Sequence, residues 1–265
     1  MIKDLVVVRG GGDIASGTIH RLTKCGFKVV VLEINEPTVI RRTVSFADAI
    51  YDNEITIENI KAVRVNDINE VKNNLNDNII PVLVDESAKS IDHLKPEIVI
   101  DGILAKKNLG TKMDMAPIVI GLGPGFTADE DVHAVIETNR GHDLGKVIYN
   151  GMAQKNTGIP GNIDGFSRER IIRSPKIGIV NTTADIGDIV KKGECVGYVN
   201  DSPVLAPISG VIRGLIKSGI HVTENFKIGD VDPRGKVSNC FTISDKARAV
   251  GGGVLEAILT LRNNQ

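Results

Sequence analysis

The stretch that decides the fold is Leu5-Val6-Val7-Val8-Arg9-Gly10-Gly11-Gly12-Asp13-Ile14-Ala15-Ser16-Gly17, in which an apolar run leads into a glycine-rich turn and then into an amphipathic segment. Glu33 closes a second apolar run roughly twenty residues later. The order is therefore strand, glycine turn, helix, strand and acid. This layout is typical of a βαβ unit that binds a dinucleotide.

Each residue type in this unit has a physical reason to be there. Gly10 suits a tight turn, and Gly12 allows a phosphate to approach the backbone where a Cβ would collide. The amides of the first helical turn, at the positive end of the helix dipole, would face the anion. Ala15 permits close packing of helix on strand, and Glu33 is placed to bond a ribose hydroxyl. The predicted cofactor-binding residues of this unit are Gly10, Gly11, Gly12, Asp13, Ala15, Ser16 and Glu33.

Short apolar runs alternate with amphipathic segments over the first hundred or so residues, as expected for strands buried on both faces of a parallel sheet. We predict an α/β fold: a Rossmann-like parallel sheet domain, then a β-rich barrel-sandwich (hammerhead-like) domain and a C-terminal helix. The predicted divisions are 1–126 for the Rossmann-like domain, 127–177 for a turn-rich linking region with short strands, 178–240 for the barrel-sandwich and 241–265 for the final strand and helix. That helix is predicted over Ala247–Leu261, entered through Gly251-Gly252-Gly253.

The segment 178–240 resembles the core of biotinyl and lipoyl domains, because glycine and serine turns separate short strands at close intervals. The hairpin between its halves carries Asn200-Asp201-Ser202-Pro203 and no lysine. A swinging prosthetic arm therefore has no attachment point, and we exclude a carrier function.

Two further groups of residues are candidates for binding or catalysis. Gly123 and Gly125 form a second glycine turn, and Arg41 is either a phosphate ligand or a solvated surface charge. On a strand after that turn, Asp131, His133 and Glu137 would share one side, where they serve in acid–base chemistry, hold a metal or simply face solvent. Together with His142 they are the weak catalytic candidates.

Composition excludes several functional classes. The 265 residues carry a net charge of −1, contain 3% aromatic residues and lack tryptophan, which argues against nucleic acid as a partner. The three cysteines, Cys25, Cys195 and Cys240, form no Cys-x-x-Cys pair, and we predict no metal site. The N-terminal apolar run is too short for a signal peptide or a membrane span, so we expect a cytoplasmic protein.

Several motifs together resemble one family. They are Gly10–Gly17, Arg41–Ala47, Gly121–Phe126, Val135–Gly145, Asn156–Gly161, Gly229–Gly235 and Gly252–Ala257. The chain resembles the YqeB family of accessory proteins of selenium-dependent molybdenum hydroxylases, and its first half is similar to the Rossmann part of XdhC-type chaperones. The resemblance implies a maturation factor that binds the molybdenum cofactor or a dinucleotide form of it, with a selenium-dependent molybdenum hydroxylase as partner and a homodimer as a reasonable assembly. It transfers no catalytic residue.

Two other hypotheses fit the same residues. One is an NAD(P)-dependent oxidoreductase that uses the same glycine turn, with His133 or His142 as the acid–base group. The other is an interaction protein whose barrel docks on a hydroxylase while the nucleotide-binding part is vestigial. Titration with nicotinamide dinucleotides distinguishes the oxidoreductase, which must bind them, from a maturation factor, which need not.

Overall fold

The computed structural model describes residues 3–76, 79–156, 158 and 161–263, so Thr157, Ile159 and Pro160 of the Asn156–Gly161 motif lie outside the described residues. The chain forms two compact units. The first comprises Met1–Pro37, Ser45–Thr157 and Ile243–Gln265, and the second comprises Thr38–Val44 and Gly158–Thr242. This division differs from the predicted boundaries at 126, 177 and 240, because segments on both sides of the second unit add to the first unit's sheet and helical layer.

The first unit is built on a nine-stranded sheet and a separate two-stranded one. The strands of this unit are β1 (Leu5–Arg9), β2 (Lys28–Glu33), β3 (Glu54–Ile57), β4 (Ile60–Val65), β5 (Ile80–Val84), β6 (Ile98–Asp101), β7 (Ile118–Leu122), β8 (Thr127–Ala128), β9 (Ala134–Ile136), β10 (Val147–Ile148) and β11 (Gly151–Met152). The order of the large sheet is β10-β9-β7-β6-β1-β2-β5-β4-β3. The seven strands from β9 to β4 are parallel, and β10 and β3 pair antiparallel at the two edges. The separate strands β8 and β11 pair with each other.

Helices cover both faces of this sheet. The helices are α1 (Asp13–Lys24), α2 (Ala49–Asp52), α3 (Ile68–Asn76), α4 (Ser90–Leu94) and α5 (Asp245–Asn263). Apolar residues of α1, α2 and α5 share one core cluster with alternate residues of the strands, while α3 and α4 contribute to a second cluster on the opposite face. The central strands β1 and β6 are buried throughout, which explains their continuous apolar runs.

Helix α5 begins at Asp245, so the three glycines predicted at its entrance lie inside it. They permit close packing of backbones. A Cβ on Gly251 would lie 2.8 Å from the carbonyl oxygen of Gly17 on α1, and one on Gly253 would overlap the carbonyl oxygen of Gly145. The glycines therefore let α5 approach α1 and the loop before β10, which outweighs their low helix propensity.

The second unit consists of two four-stranded antiparallel sheets. The strands are β12 (Ile171–Arg173), β13 (Gly178–Thr182), β14 (Ile189–Val190), β15 (Cys195–Val199), β16 (Ser202–Leu205), β17 (Gly210–Leu215), β18 (His221–Val222) and β19 (Lys227–Asp232). Their orders in the two sheets are β12-β19-β17-β14 and β16-β15-β13-β18. Short strands separated by turns are the pattern expected for 178–240, although β12 begins before that range.

The structure confirms a mixed α/β chain with a large parallel sheet, additional antiparallel sheets and a C-terminal helix. The β3–β4 hairpin was not predicted. Its turn residues Glu58 and Asn59 both have positive φ, at 45° and 67°, which is typical of a two-residue hairpin turn. Within the described part of the chain, no helix combines the length and apolar character that crossing a bilayer requires.

Candidate functional site

The first glycine turn lies at the carboxyl end of β1, where the strand order of the sheet reverses. From β1 the chain continues to β2 on one side, and β6 pairs with β1 on the other. Gly10 has a φ of +86°, and its amide donates a hydrogen bond to the carbonyl oxygen of Leu32 at 2.8 Å. The turn is thereby joined to the end of β2. A crevice at such a reversal point is where open α/β sheets bind ligands.

Glu33, the last residue of β2, is held beside this turn by two backbone amides. Its Oε2 accepts the amide hydrogen of Gly11 at 2.8 Å, and its Oε1 accepts that of Ile34 at 2.9 Å. Burial raises the pKa of the Glu33 carboxyl, and the two amide hydrogen bonds oppose this rise. The carboxylate is therefore fixed in orientation, and the Gly11 amide is already engaged within the protein.

The other side of Gly11 packs against the 3₁₀ segment Phe46–Asp48. The carbonyl oxygen of Gly11 accepts the Ala47 amide at 2.9 Å and the Ser16 hydroxyl at 3.1 Å, and the Ser16 oxygen accepts the Phe46 amide at 3.0 Å. A Cβ on Gly11 would lie 2.7 Å from the Ala47 nitrogen. Gly11 and Ser16, both predicted as cofactor ligands, thus attach a protein segment to the turn.

A buried network supports the turn from the side of β6. Asp101 accepts the Thr111 hydroxyl at 2.6 Å and the Ile103 amide at 3.1 Å, and one of its oxygens lies 3.6 Å from an Arg9 nitrogen. A Cβ on Gly10 would lie 3.0 Å from Ile103 Cα. The segment after β6 therefore covers Gly10.

Ala15 of α1 packs closely against the residue that follows β6. A Cβ on Gly102 would lie 2.8 Å from the Cβ of Ala15. Of the turn residues, Gly12 and Asp13 stay partly exposed, at the start of α1. The accessible part of the predicted site is thus the first turn of α1.

Lys246 is a residue of this edge that sequence reasoning missed. It lies in the first turn of α5, which packs on α1 so closely that a Cβ on Gly17 would overlap the carbonyl oxygen of Ala247. Burial lowers the pKa of Lys246, and the charges acting on it include Asp13 and Glu137. The half-buried Lys246 ammonium therefore lies near the N-termini of both α1 and α5. The pattern Ser244-Asp245 marks a helix start in the sequence, but no sequence signal places that start beside α1.

The second glycine turn serves packing. Gly123 and Gly125 have φ values of +77° and +114°. A Cβ on Gly123 would overlap the Thr138 hydroxyl, and one on Gly125 would lie 2.7 Å from the Lys107 nitrogen. The space next to both predicted cofactor ligands is filled by protein.

The four weak catalytic candidates are not brought together. Nδ1 of His133 accepts the Val119 amide at 2.9 Å just before β9, whereas Glu137 follows the carboxyl end of β9. Four residues of strand span about 13 Å, so these two side chains lie at opposite ends of the strand. Asp131 accepts the Thr127 amide at 2.8 Å, and His142 is exposed. Among the described residues, no group of three or more His, Cys, Asp or Glu is arranged to hold a metal ion.

Glu137 has a different role from the one predicted. It is buried, and its two oxygens accept the amides of Asn139 at 2.7 Å and Gln154 at 2.8 Å. It thereby joins the segment after β9 to the segment after β11, on the same edge of the sheet as the glycine turn.

Arg41 belongs to the second unit. Its Nη2 donates to the carbonyl oxygens of Asn239 at 2.9 Å and Thr242 at 3.2 Å, and its side chain is buried. The sequence suggested a phosphate ligand or a solvated charge. In the structure Arg41 instead binds the backbone at 239–242, where the second unit ends.

Comparisons with known proteins identify one curated relative with high sequence identity. No family model matches the chain. Two solved structures share low structural similarity: a succinylglutamate desuccinylase/aspartoacylase from Rhodobacter sphaeroides (22% identity, 24% of this chain and 22% of that chain, TM-score 0.21) and an aspartoacylase family protein from Mesorhizobium loti (11% identity, 80% and 59%, TM-score 0.24). Neither supports a conclusion about fold or activity.

The uncharacterized protein YqeB of Escherichia coli strain K12 is 52% identical over 257 residues, which are 97% of this chain and 48% of the relative. The chain thus spans about half the length of that relative. Identity at this level across nearly the whole chain shows common descent, and the chain belongs to the YqeB family.

Proposed function

We propose that the chain is a maturation factor for selenium-dependent molybdenum hydroxylases, which binds the molybdenum cofactor or a nucleotide-containing form of it and presents it to the target enzyme. The family resemblance supports the pathway, and the glycine turn of the first unit supports a binding site there. The observation that carries the proposal is the reversal of strand order at β1, with a glycine turn at the carboxyl end of that strand.

The strand order supports a Rossmann-like domain. When the parallel strand β4 is left out of the count, the strands β5-β2-β1-β6-β7-β9 follow the order 3-2-1-4-5-6 of dinucleotide-binding domains. In that fold, the glycine turn after the first strand meets the pyrophosphate, and an acid at the end of the second strand meets the ribose. Gly10–Gly12 and Glu33 occupy these two positions.

Groups at the start of α1 and at the end of β2 could bind two parts of a nucleotide, its ribose and its phosphates. Glu33 is fixed by two amides, so its carboxylate is preorganised to accept a ribose hydroxyl. Since Gly11 is engaged within the protein, phosphate oxygens would be held at Gly12 and Asp13 in the first turn of α1. Lys246 supplies a cation at the same edge and offsets the negative charge of Asp13.

Isothermal titration calorimetry on the full chain tests this site. The probes are molybdopterin cytosine dinucleotide, CDP and NAD⁺, because they share a pyrophosphate and differ in what it carries. We expect Gly12→Val, which adds a branched side chain at the exposed part of the turn, to abolish binding. Glu33→Gln and Lys246→Gln should each weaken it about tenfold, or ~1.4 kcal/mol.

Glu36→Gln is the matched control, since Glu36 is an exposed acid three residues after Glu33. It should bind like the wild type. The proposal is wrong if neither pterin dinucleotide nor CDP binds the wild-type protein, or if Gly12→Val leaves binding intact. Tighter binding of NAD⁺ than of the pterin dinucleotide would favour a nicotinamide-dependent oxidoreductase instead.

A further inference from the structure

The sheet β16-β15-β13-β18 of the second unit differs in charge from the rest of the chain. Its four strands contain no Lys, Arg, Asp or Glu, although these residues make up 25% of the sequence. The strands of the other sheet of this unit do contain such residues, which are Arg173, Arg213, Lys227, Asp230 and Asp232. Depletion of charged residues is typical of the core of a protein–protein interface. We call the sheet β16-β15-β13-β18 the uncharged sheet.

One face of the uncharged sheet is buried, and the other presents apolar side chains to solvent. Burial alternates along β13 and β16, where Val180 and Val204 are buried while Ile179 and Leu205 are 46% and 51% exposed. Tyr198 of β15 is 40% exposed, and both residues next to it in the strand are buried. The outward face therefore carries large apolar side chains at positions where a half-buried strand normally carries polar ones.

The strand register makes these exposed side chains neighbours. Tyr198 pairs with Pro203 on one side and with Asn181 on the other. Ile179 lies two residues from Asn181 along β13, and Leu205 lies two residues from Pro203 along β16. Residues two apart in a strand point to the same side, and paired residues on adjacent strands lie about 5 Å apart. The five residues thus form one continuous surface, which we call the Tyr198 patch.

Charges begin at the edge of this patch. Asp201, in the turn between β15 and β16, forms an exposed ion pair with Lys176, which precedes β13. An apolar centre bordered by charged residues is the usual anatomy of an interface. Because both signs of charge lie side by side at this edge, the same edge of a second copy can meet it without net repulsion.

The size of the Tyr198 patch fits the apolar centre of a dimer interface. Its apolar members, together with Ile177, which is 59% exposed just before β13, present roughly 350 Å² of accessible surface, a size at which patches are often functional. Each partner in a stable complex buries about 800 Å², of which somewhat more than half is apolar. The patch therefore supplies most of the apolar area that one side of such an interface needs.

We propose that the uncharged sheet is the interface of a symmetric homodimer, in which the Tyr198 patch of one copy packs on the Tyr198 patch of the second. In a two-fold interface the same surface meets itself, so a charge near the axis would face an equal charge. A sheet without charged residues avoids this repulsion. Interfaces between identical copies are also more apolar than those between transient partners.

The polar groups at the centre of the patch are compatible with self-association. Asn181 lies beside Tyr198, and an amide and a phenol each contain both a donor and an acceptor. The two side chains can therefore satisfy the same two side chains of a second copy. Two such sheets packed face to face at about 10 Å would form a β-sandwich across the dimer axis.

Sedimentation equilibrium of the full chain measures this assembly. The chain has a mass of 28.4 kDa, so a dimer has twice that mass. We expect the wild type to be dimeric, with a dissociation constant of about 1 μM or lower, which is within the range of standard-size interfaces. Samples at about 1 to about 100 μM cover the transition to the monomer.

Charged substitutions on the two sheets then assign the interface. Ile179→Glu and Leu205→Glu each place on the patch a carboxylate that the dimer would bury without a partner, so each should raise the dissociation constant at least about 100-fold. Ile189→Glu is the matched control, since Ile189 is 62% exposed on β14 of the other sheet and should leave the constant unchanged. Circular dichroism and thermal unfolding check that each variant is folded.

Three results would overturn the proposal: a wild type that is monomeric at every concentration, a dimer that both patch substitutions leave intact, or equal weakening by Ile189→Glu. Because Ile179 and Leu205 lie on different strands, either variant decides the question if the other does not fold. The cofactor titrations probe the first unit, so failure of the proposed function would leave this result unchanged.

Discussion

Adjacent glycines of α5 should respond in opposite directions to the same substitution. Gly252 and Gly253 both lie in the helix interior, where alanine is favoured over glycine by about 1 kcal/mol. A Cβ on Gly252 would meet only the Arg21 guanidinium carbon, at 3.9 Å. A Cβ on Gly253 would overlap the carbonyl oxygen of Gly145 and lie 3.1 Å from a methyl group of Ile136.

The magnitudes follow from these contacts. Gly252→Ala has room and should stabilise the first unit by 0.5 to 1 kcal/mol, on the order of the helix propensity gain. In Gly253→Ala the obstructing atom is backbone and cannot rotate away, so the overpacking cost lies near the upper end of its range, about 3 kcal/mol. After the propensity gain, the net destabilisation is about 2 kcal/mol.

Thermal unfolding followed by circular dichroism at 222 nm measures both changes. For a unit of this size, 1 kcal/mol corresponds to roughly 2–4 °C, so we expect a rise of a few degrees for Gly252→Ala and a fall of about 4–8 °C for Gly253→Ala. Equal shifts, or a Gly253→Ala protein more stable than Gly252→Ala, would refute the close approach of α5 to the loop before β10.

Two further substitutions test the supports of the glycine turn. Asp101→Ala removes the carboxylate beside the buried Arg9 guanidinium and should lower the free energy of unfolding in urea by about 3–5 kcal/mol. Its control is Glu54→Ala, which breaks the exposed ion pair with Lys61 at 2.7 Å and should lower that free energy by less than about 1 kcal/mol. Equal losses in the two variants would contradict the burial argument. Glu33→Gln removes a carboxyl whose pKa burial raises, so the native state holds this proton more tightly than the unfolded chain does. The stability of the wild type relative to Glu33→Gln should therefore fall as the pH rises from the ordinary carboxyl pKa through the raised one. Urea titrations of both proteins from about pH 4 to pH 8 measure this difference. A wild-type advantage that grows with pH would show that the pKa of Glu33 is not raised in the folded protein.

The layout of the parallel sheet could be predicted from the sequence because its signal is local. Buried parallel strands require continuous apolar runs, and β1, β2 and β6 show them. The β3–β4 hairpin was missed because its turn, Glu58-Asn59, lacks the glycine that usually marks such turns. The unit boundaries were missed for a different reason: α5 packs on α1 through glycine contacts between segments far apart in the chain, which no local pattern reveals.

The candidate site shows a second limit of sequence reasoning. A glycine in a turn indicates that something must approach the backbone closely, but it does not indicate what. At Gly11 the neighbour is Ala47, and at Gly125 it is Lys107. Both glycines were predicted as cofactor ligands because a phosphate and a protein backbone place the same demand on the chain.

Charged side chains that stay partly accessible beside a turn are the better guide to a ligand. Lys246 meets this condition beside Gly12 and Asp13, and its distance along the sequence from α1 hides it from any motif search. If Lys246→Gln weakens nucleotide binding while Gly125→Ala alters only stability, the anion lies on the α5 side of α1, and the second glycine turn has no part in holding it.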